Sequence, residues 1–148
     1  MKDEFNKYLM AIDVPTPLQK RVDEIIALYG RIYKEPIEDI FVCDYIKEDG
    51  SRGYDSLWLF SGRFSMEAKE FVNKHDYDIT PNQITYMSLE VQDYDLSDKA
   101  TLTSRLLVRM TYLGVGMAGI SGSLKAAREN CPYLKNVLVK HIVSHISS

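Results

Sequence analysis

The stretch that decides the fold reads Ile40-Phe-Val-Cys-Asp-Tyr-Ile46, then Lys47-Glu-Asp-Gly-Ser-Arg-Gly53, and then, after three residues, Leu57-Trp-Leu-Phe60. β-Branched and aromatic residues are typical of strands, and Gly, Asp and Ser between two such runs are typical of a turn. The sequence therefore predicts a β-hairpin. Because both faces of each strand carry apolar residues, we expect the hairpin to be covered on two sides and to belong to the core.

Further strands are predicted downstream of this hairpin. Residues 85–91 alternate between apolar and polar side chains, as a half-buried strand does, and the apolar run 102–113 predicts another strand. Residues 64–74 fit both periods. The helix-forming composition Met66-Glu-Ala-Lys-Glu70 favours a short helix there.

Helices are predicted on both sides of the sheet region. Residues 3–12 have apolar side chains at helical spacing, and a second helix is predicted to begin with Thr16 as its N-cap, followed by Pro17, and to run to about residue 34. Residues 124–146 also show helical spacing. Pro132 must kink or restart that last helix, because proline lacks the backbone N–H.

Together these elements predict one α+β domain over residues 1–148. We expect an N-terminal helical segment (1–35), a mainly antiparallel, curled sheet of about five strands (37–122), and a long C-terminal helix (123–148) packed on the sheet. The order of elements is similar to that of a pleckstrin-homology-like roll. This resemblance is one of architecture alone.

Composition is typical of a globular protein, with 148 residues of which 45% are hydrophobic. The first residues carry acids and no long apolar run, which argues against a targeting peptide. The longest apolar stretch, 106–120, contains Arg109 and is shorter than the roughly 20 residues that span a bilayer. We therefore expect no membrane span and a cytoplasmic location, with Cys43 and Cys131 as buried, reduced thiols.

Charge is unevenly distributed along the chain. Residues 75–100 hold six acids and one lysine, a net charge of −5, whereas residues 101–148 hold six basic residues and one glutamate, a net charge of +5. Such blocks can attract each other within the fold or support polar self-association. Because carboxylates lie close to the basic residues, nucleic-acid binding is not expected.

A glycine-rich stretch has the G-x-G-x-x-G spacing of a phosphate-binding loop, at Gly114, Gly116 and Gly119. A dinucleotide site also needs a second parallel strand and an acid about 20 residues further on, and neither is present. Bulky and bare positions alternate, so we interpret the stretch as a strand on which a helix packs closely. An anion contact at the start of the following helix is the alternative, with five candidate residues: Gly114, Gly116, Gly119, Ser121 and Ser123.

Two similar acidic segments, 75–80 and 92–97, are predicted to form turns at strand ends. Tyrosine provides a large contact area with a polar tip, so these turns suit a protein partner. The candidate partner-binding residues are Asp76, Tyr77, Asp78, Asp93, Tyr94 and Asp95.

No metal site or cofactor is predicted. The acidic loops lack the spacing of an EF-hand, and His141 and His145, one helical turn apart, have no third ligand nearby in the sequence.

A complete catalytic set is not apparent, so the sequence leaves enzymatic activity uncertain and favours a non-enzymatic role. We expect an interaction module that binds a protein partner or itself through the acidic turns and the C-terminal helix. The alternative is a small enzyme or ligand-binding protein with an anion or small-molecule pocket near residues 114–119.

Overall fold

The computed structural model describes residues 2–73, 76–81, 84–92, 105–112 and 120–145. Two helices come first, α1 (Asp3–Ala11) and α2 (Thr16–Tyr33), followed by the strands β1 (Asp39–Ile46), β2 (Arg52–Phe60), β3 (Phe64–Lys69), β4 (Asp76–Pro81), β5 (Ile84–Gln92), β6 (Arg105–Tyr112) and β7 (Ile120–Ala127). Residues 128–145, here called the C-terminal helical segment, consist of a 3₁₀ turn, helix α3 (Cys131–Val137), a π-helical turn (Leu138–Ile142) and a last 3₁₀ turn.

The two N-terminal helices are confirmed. Helix α1 buries Phe5, Tyr8 and Leu9, which lie on one face at helical spacing. Helix α2 has its N-cap at Pro15 and not at Thr16. Its C-cap is Lys34, whose φ of 53° lies in the left-handed region that commonly closes a helix.

The hairpin is confirmed as the first two strands of a sheet in which four antiparallel strands follow the order β1-β2-β3-β4. Phe41 pairs with Trp58, and Val42 pairs with Leu57, so adjacent residues of each strand point to opposite faces. All four side chains are buried. The hairpin is therefore covered on two sides, as expected.

The helix expected within residues 64–74 is wrong, because Phe64–Lys69 is strand β3. Its backbone pairs with β2 on one side and with β4 on the other. Met66 and Ala68 are buried in the core. Hydrogen bonds to two neighbouring strands and burial of the side chains outweigh a local helix preference of a few tenths of a kcal/mol per residue.

The long helix expected at 123–148 is also wrong, because its first part belongs to β7. Strand β7 completes a second antiparallel sheet, with the order β5-β6-β7. Along β7, Leu124 and Ala126 are buried while Ser123 is exposed, an alternation with the period of a strand. Pro132 lies in the first turn of α3, where a missing N–H costs little. The proline therefore marks the beginning of α3 and not a kink or restart within the expected long helix.

The described strands thus form two sheets and not one curled sheet of about five strands. The sheets meet where β1 lies beside β7: the backbone N–H of Ala127 donates to Asp44 Oδ1 at 2.9 Å. Buried side chains from α1, α2, both sheets and the C-terminal helical segment belong to one hydrophobic cluster. Among the described residues, no helix has both the length and the apolar character needed to cross a membrane.

Candidate functional site

An open cavity of about 650 Å³ lies between the two sheets, and we call it the intersheet groove. One wall comes from β2, β3 and the turn that follows β3, and the other comes from β6 and β7. The lining residues are Cys43, Asp55, Ser56, Glu67, Lys69, Glu70, Arg109, Met110, Thr111, Gly122, Ser123 and Lys125.

Two charged side chains of the first wall lie on one face of the sheet because β3 is a strand. Glu67 and Lys69 are two residues apart, so they point to the same face of the sheet. Lys69 pairs in register with Ser56 of β2, which places the Ser56 side chain on that face as well. Glu67 is only 9% exposed. The Glu67 carboxylate therefore lies at the edge of the core, and its neighbours are residues of the sheet.

The second wall carries a cross-strand polar patch. Arg109 of β6 pairs directly with Ser123 of β7, so the two side chains share one face of the sheet. Thr111 and Lys125 lie two residues along each strand and share that face too. The opposite face holds buried core residues such as Val108 and Leu124. The period of the strands therefore directs one guanidinium, one ammonium and two hydroxyl groups away from the core.

Lys125 connects the two walls. Its ammonium forms an ion pair with Asp55 of β2. The same nitrogen lies 4.8 Å from the centroid of the Tyr45 ring, within the range of a cation–π interaction. One side chain of the second sheet is thus held by two residues of the first sheet, which fixes one boundary of the groove.

Cys43 lines the groove as a neutral thiol. Burial raises its pKa to about 12, and this effect outweighs the opposing effects of a hydrogen bond from Ser56 and of the Lys125 backbone N–H. A thiol with such a pKa is protonated at neutral pH, whereas the thiolate is the nucleophile. Cys43 and Cys131 are both free and buried, which confirms the expectation for these residues.

Glu70 adopts an unusual backbone conformation at the mouth of the groove. Its φ is 50°, in the left-handed region that costs a non-glycine residue about 1–3 kcal/mol. The turn is closed by a hydrogen bond from the Asn73 backbone N–H to the Glu70 carbonyl at 2.9 Å. This turn places the Glu70 side chain among the residues that line the first wall.

A second polar cluster surrounds His141 in the C-terminal helical segment. The imidazole is buried, its Nε2 lies 2.6 Å from Asp39 Oδ2, and its ring stacks on Phe60 with a centroid distance of 4.9 Å. Lys140 Nζ lies 3.0 Å from the same carboxylate oxygen. Burial raises the pKa of Asp39, but the hydrogen bonds from His141 and Lys140 outweigh burial and hold it below its usual value.

A third cluster is buried where α1, β1 and the C-terminal helical segment meet. The Tyr8 hydroxyl donates to Asn130 Oδ1 at 2.9 Å, and the Asn130 amide donates to Asp44 Oδ1 at 2.9 Å. Arg52 Nε lies 3.1 Å from Asp44 Oδ2, although the pair is not aligned as a hydrogen bond. Burial raises the pKa of Asp44, and these partners offset the effect only in part. The cluster ties together α1, β1, β2 and the C-terminal helical segment, and none of its four residues lines the groove.

The residues predicted from sequence have different outcomes. Asp76, Tyr77 and Asp78 lie in strand β4, so the turn expected there is wrong; in register, Asp76 pairs with Lys69 and Asp78 with Glu67, both of the groove wall. Ser123 lines the groove, and Ser121 lies two residues before it in β7. The remaining candidates lie outside the described residues: Asp93, Tyr94, Asp95, Gly114, Gly116 and Gly119.

The alternative interpretation of the glycine-rich stretch, an anion contact at the start of a following helix, is not supported, because residue 120 begins a strand. The loop-to-helix geometry that binds phosphate requires free N–H groups at a helix N-terminus. Because strand β7 begins at residue 120, the G-x-G-x-x-G spacing is not followed there by the helix N-terminus that phosphate binding requires.

Sequence reasoning missed most of the groove. The composition of residues 66–70 favours a helix, so the sequence does not show that Glu67 and Lys69 share a strand face. No motif marks Asp55, Arg109 or Lys125. The usable signal was the alternation of polar and apolar residues along β6 and β7, which marks one face as solvent-facing.

Comparisons with family models, with curated proteins and with solved structures found no match to this chain. Within the described part of the chain, no group of three or more His, Cys, Asp or Glu side chains is arranged to hold a metal ion. The chemistry of the groove is therefore inferred from its own residues.

Proposed function

We propose that this protein is a binding protein for a small polar molecule, and that the intersheet groove is its binding site. The observation that carries the proposal is the groove itself, about 650 Å³ in volume and lined by charged side chains of both sheets. Ligand sites in proteins commonly measure about 300–1,000 Å³ and position their ligands with a few polar groups.

Two features of the lining support a polar ligand. Hydroxyl, guanidinium and carboxylate groups come from different strands and converge on one space, so a ligand there meets donors and acceptors together. The Glu70 backbone strain is of the kind that proteins retain where a side chain must be placed for function.

Binding is favoured over catalysis by the chemistry of the same residues. The Cys43 thiol has a pKa of about 12 and is not a nucleophile at neutral pH. His141, the histidine whose side chain is described, does not line the groove. The groove residues therefore offer recognition groups, and the protein is proposed to act without a covalent step.

A thermal-shift panel tests the proposal, using amino acids, short peptides, nucleotides, inorganic phosphate, carboxylates and polyamines. A ligand at 100 times its Kd stabilises the fold by about 2.7 kcal/mol. Hits are then measured by calorimetry against Ser123→Trp, which fills the groove from an exposed position of β7. Ser144→Trp is the matched control, since Ser144 is exposed and lies in the C-terminal helical segment. The proposal is overturned if no compound binds, or if Ser123→Trp leaves every hit unchanged.

Self-association through the C-terminal helical segment is a second candidate function. Val139 and Val143 are 73% and 50% exposed and lie one helical turn apart. Lys135 and Lys140 flank them, and residues 75–100, whose sequence has a net charge of −5, carry charge of the opposite sign. Sedimentation velocity at low salt tests this: a dimer that Val139→Glu converts to a monomer supports it, and a monomeric wild type excludes it.

Two finer expectations remain proposals. The order of a four-stranded sheet, a three-stranded sheet and a C-terminal helical segment supports a pleckstrin-homology-like roll. The two buried free thiols support a reducing compartment such as the cytoplasm.

A further inference from the structure

The two walls of the intersheet groove carry opposite net charge. On the first sheet and its turn, three carboxylates face one ammonium group, a net charge of −2, from Asp55, Glu67, Glu70 and Lys69. On the second sheet the charged lining residues are both basic, Arg109 and Lys125, a net charge of +2. Asp55 and Lys125 pair with each other across the groove. The remaining lining residues give a net charge of −1 on the first wall and +1, from Arg109, on the second, so the groove is polarised from wall to wall. Arg109 Nη1 also lies 3.8 Å from Glu90 Oε2 of β5, an ion pair between two exposed side chains.

The basic wall has the chemistry of a carboxylate site. A guanidinium presents paired N–H donors whose spacing matches the two oxygens of a carboxylate. Ser123 stands directly across from Arg109 in the strand register, and Thr111 and Lys125 extend the same face. Two hydroxyl groups therefore lie beside the guanidinium, whereas the second cation, Lys125, is already paired with Asp55.

The acidic wall has the chemistry of an ammonium site. Glu67 and Glu70 supply carboxylates on the first wall, one at the edge of the core and one exposed at the mouth. An ammonium group donates three hydrogen bonds and is favoured between carboxylates. A ligand that carried negative charge alone would be repelled by this wall, and a ligand that carried positive charge alone would be repelled by the other.

We infer that the groove binds a small zwitterion with a free carboxylate and a free ammonium group, a free α-amino acid or a short peptide with both termini uncapped. This inference rests on the proposed binding function of the groove. The carboxylate lies against Arg109, Thr111 and Ser123, and the ammonium group lies against Glu67 and Glu70. Placing the ligand this way pairs each of its charges with the wall of opposite sign.

Four forms of one peptide test the inference by calorimetry: trialanine, N-acetyl-trialanine, trialanine amide and N-acetyl-trialanine amide. These carry both charges, the carboxylate alone, the ammonium alone, and neither. Trialanine is expected to bind most tightly, and each cap is expected to weaken binding about tenfold or more, since hydrogen bonds to charged groups are the strong ones.

Two groove variants assign the ends of the ligand. Arg109→Gln is expected to weaken trialanine but to leave trialanine amide nearly unchanged. Glu70→Gln, at an exposed position, is expected to weaken trialanine but to leave N-acetyl-trialanine nearly unchanged. Lys135→Gln, on α3 outside the groove, is the control and should leave all four affinities unaltered.

The outcomes separate the inference from the proposed function. If trialanine binds no better than its capped forms, the zwitterion inference is overturned and the binding groove stands. The same conclusion follows if Ser123→Trp abolishes the binding of panel compounds that carry no free ammonium and carboxylate pair, while neither trialanine nor any free amino acid binds. If Ser123→Trp displaces nothing at all, the binding function itself fails.

Discussion

The hydrogen-bond partners of Asp39, at the start of β1, come from a part of the chain that is distant in sequence. Its carboxylate accepts from His141, 102 residues away in sequence, and from Lys140. Sequence spacing suggested only that His141 and His145 share a helix face. The sequence does not identify Asp39 as the partner of His141, because this contact depends on how the C-terminal helical segment packs on β1.

Asp39→Asn is expected to lower the free energy of unfolding at pH 7 by about 1–3 kcal/mol, because it removes a charged hydrogen-bond acceptor. The folded pKa of Asp39 lies below its unfolded value, so its contribution is present above about pH 4 and is lost as the pH falls through the folded pKa. Urea unfolding at several pH values between 5 and 2 should show the difference between wild type and variant shrinking towards the acid end.

Asp13→Asn is the matched control for that titration, since it removes an exposed carboxylate in the turn after α1. A difference for Asp39→Asn that stays constant from pH 5 to pH 2 would contradict the assigned role of the carboxylate.

At the scale of elements, the sequence predicted best where local and tertiary preferences agree. The hairpin of β1 and β2 and the helices α1 and α2 have clear periods and clear breakers, and all four form. Strands β3 and β7 have helix-forming composition, Met66-Glu-Ala-Lys-Glu70 in and just after one and Leu124-Lys-Ala-Ala127 in the other. Their hydrogen-bonding partners are other strands, and a single segment does not reveal its neighbours.

Gly30 and Gly50 allow a test of two elements by the same substitution. A Cβ atom at either position meets nothing within 4 Å. The effects of the two alanine substitutions therefore differ only through the backbone conformation at each glycine. Gly30 lies within α2, and Gly30→Ala is expected to stabilise the fold by about 0.4–1 kcal/mol. Gly50 has a φ of 86° in the turn between β1 and β2, and Gly50→Ala is expected to destabilise it by about 1–2 kcal/mol.

Urea unfolding of the two alanine variants, at one pH and temperature, measures both effects. The opposite signs are the prediction. If both variants were stabilised, the turn would not require a left-handed residue; if both were destabilised, α2 would not extend through Gly30.

At the scale of the molecule, the groove is formed jointly by two sheets, which contact each other through β1 and β7. No single element contains it, and its charged residues come from four strands and a turn. The fold class was therefore predictable from periodicity, whereas the site depended on strand order and register. Ser123, a candidate from sequence whose side chain the structure describes, lines the groove, but the reason for choosing it, a helix start, was wrong.

The single hydrophobic cluster predicts that both sheets unfold together. Leu124 of β7 is fully buried in that cluster, and Leu124→Ala is expected to cost about 2–5 kcal/mol. If the sheets are one cooperative unit, hydrogen exchange followed by mass spectrometry should show the slowest amides of β1 and β2 losing as much protection as those of β6. Val139→Ala, at a position 73% exposed, should change protection little. A loss confined to β5, β6 and β7 would show instead that the second sheet opens alone, and the groove between the sheets would then be a boundary between two folding units.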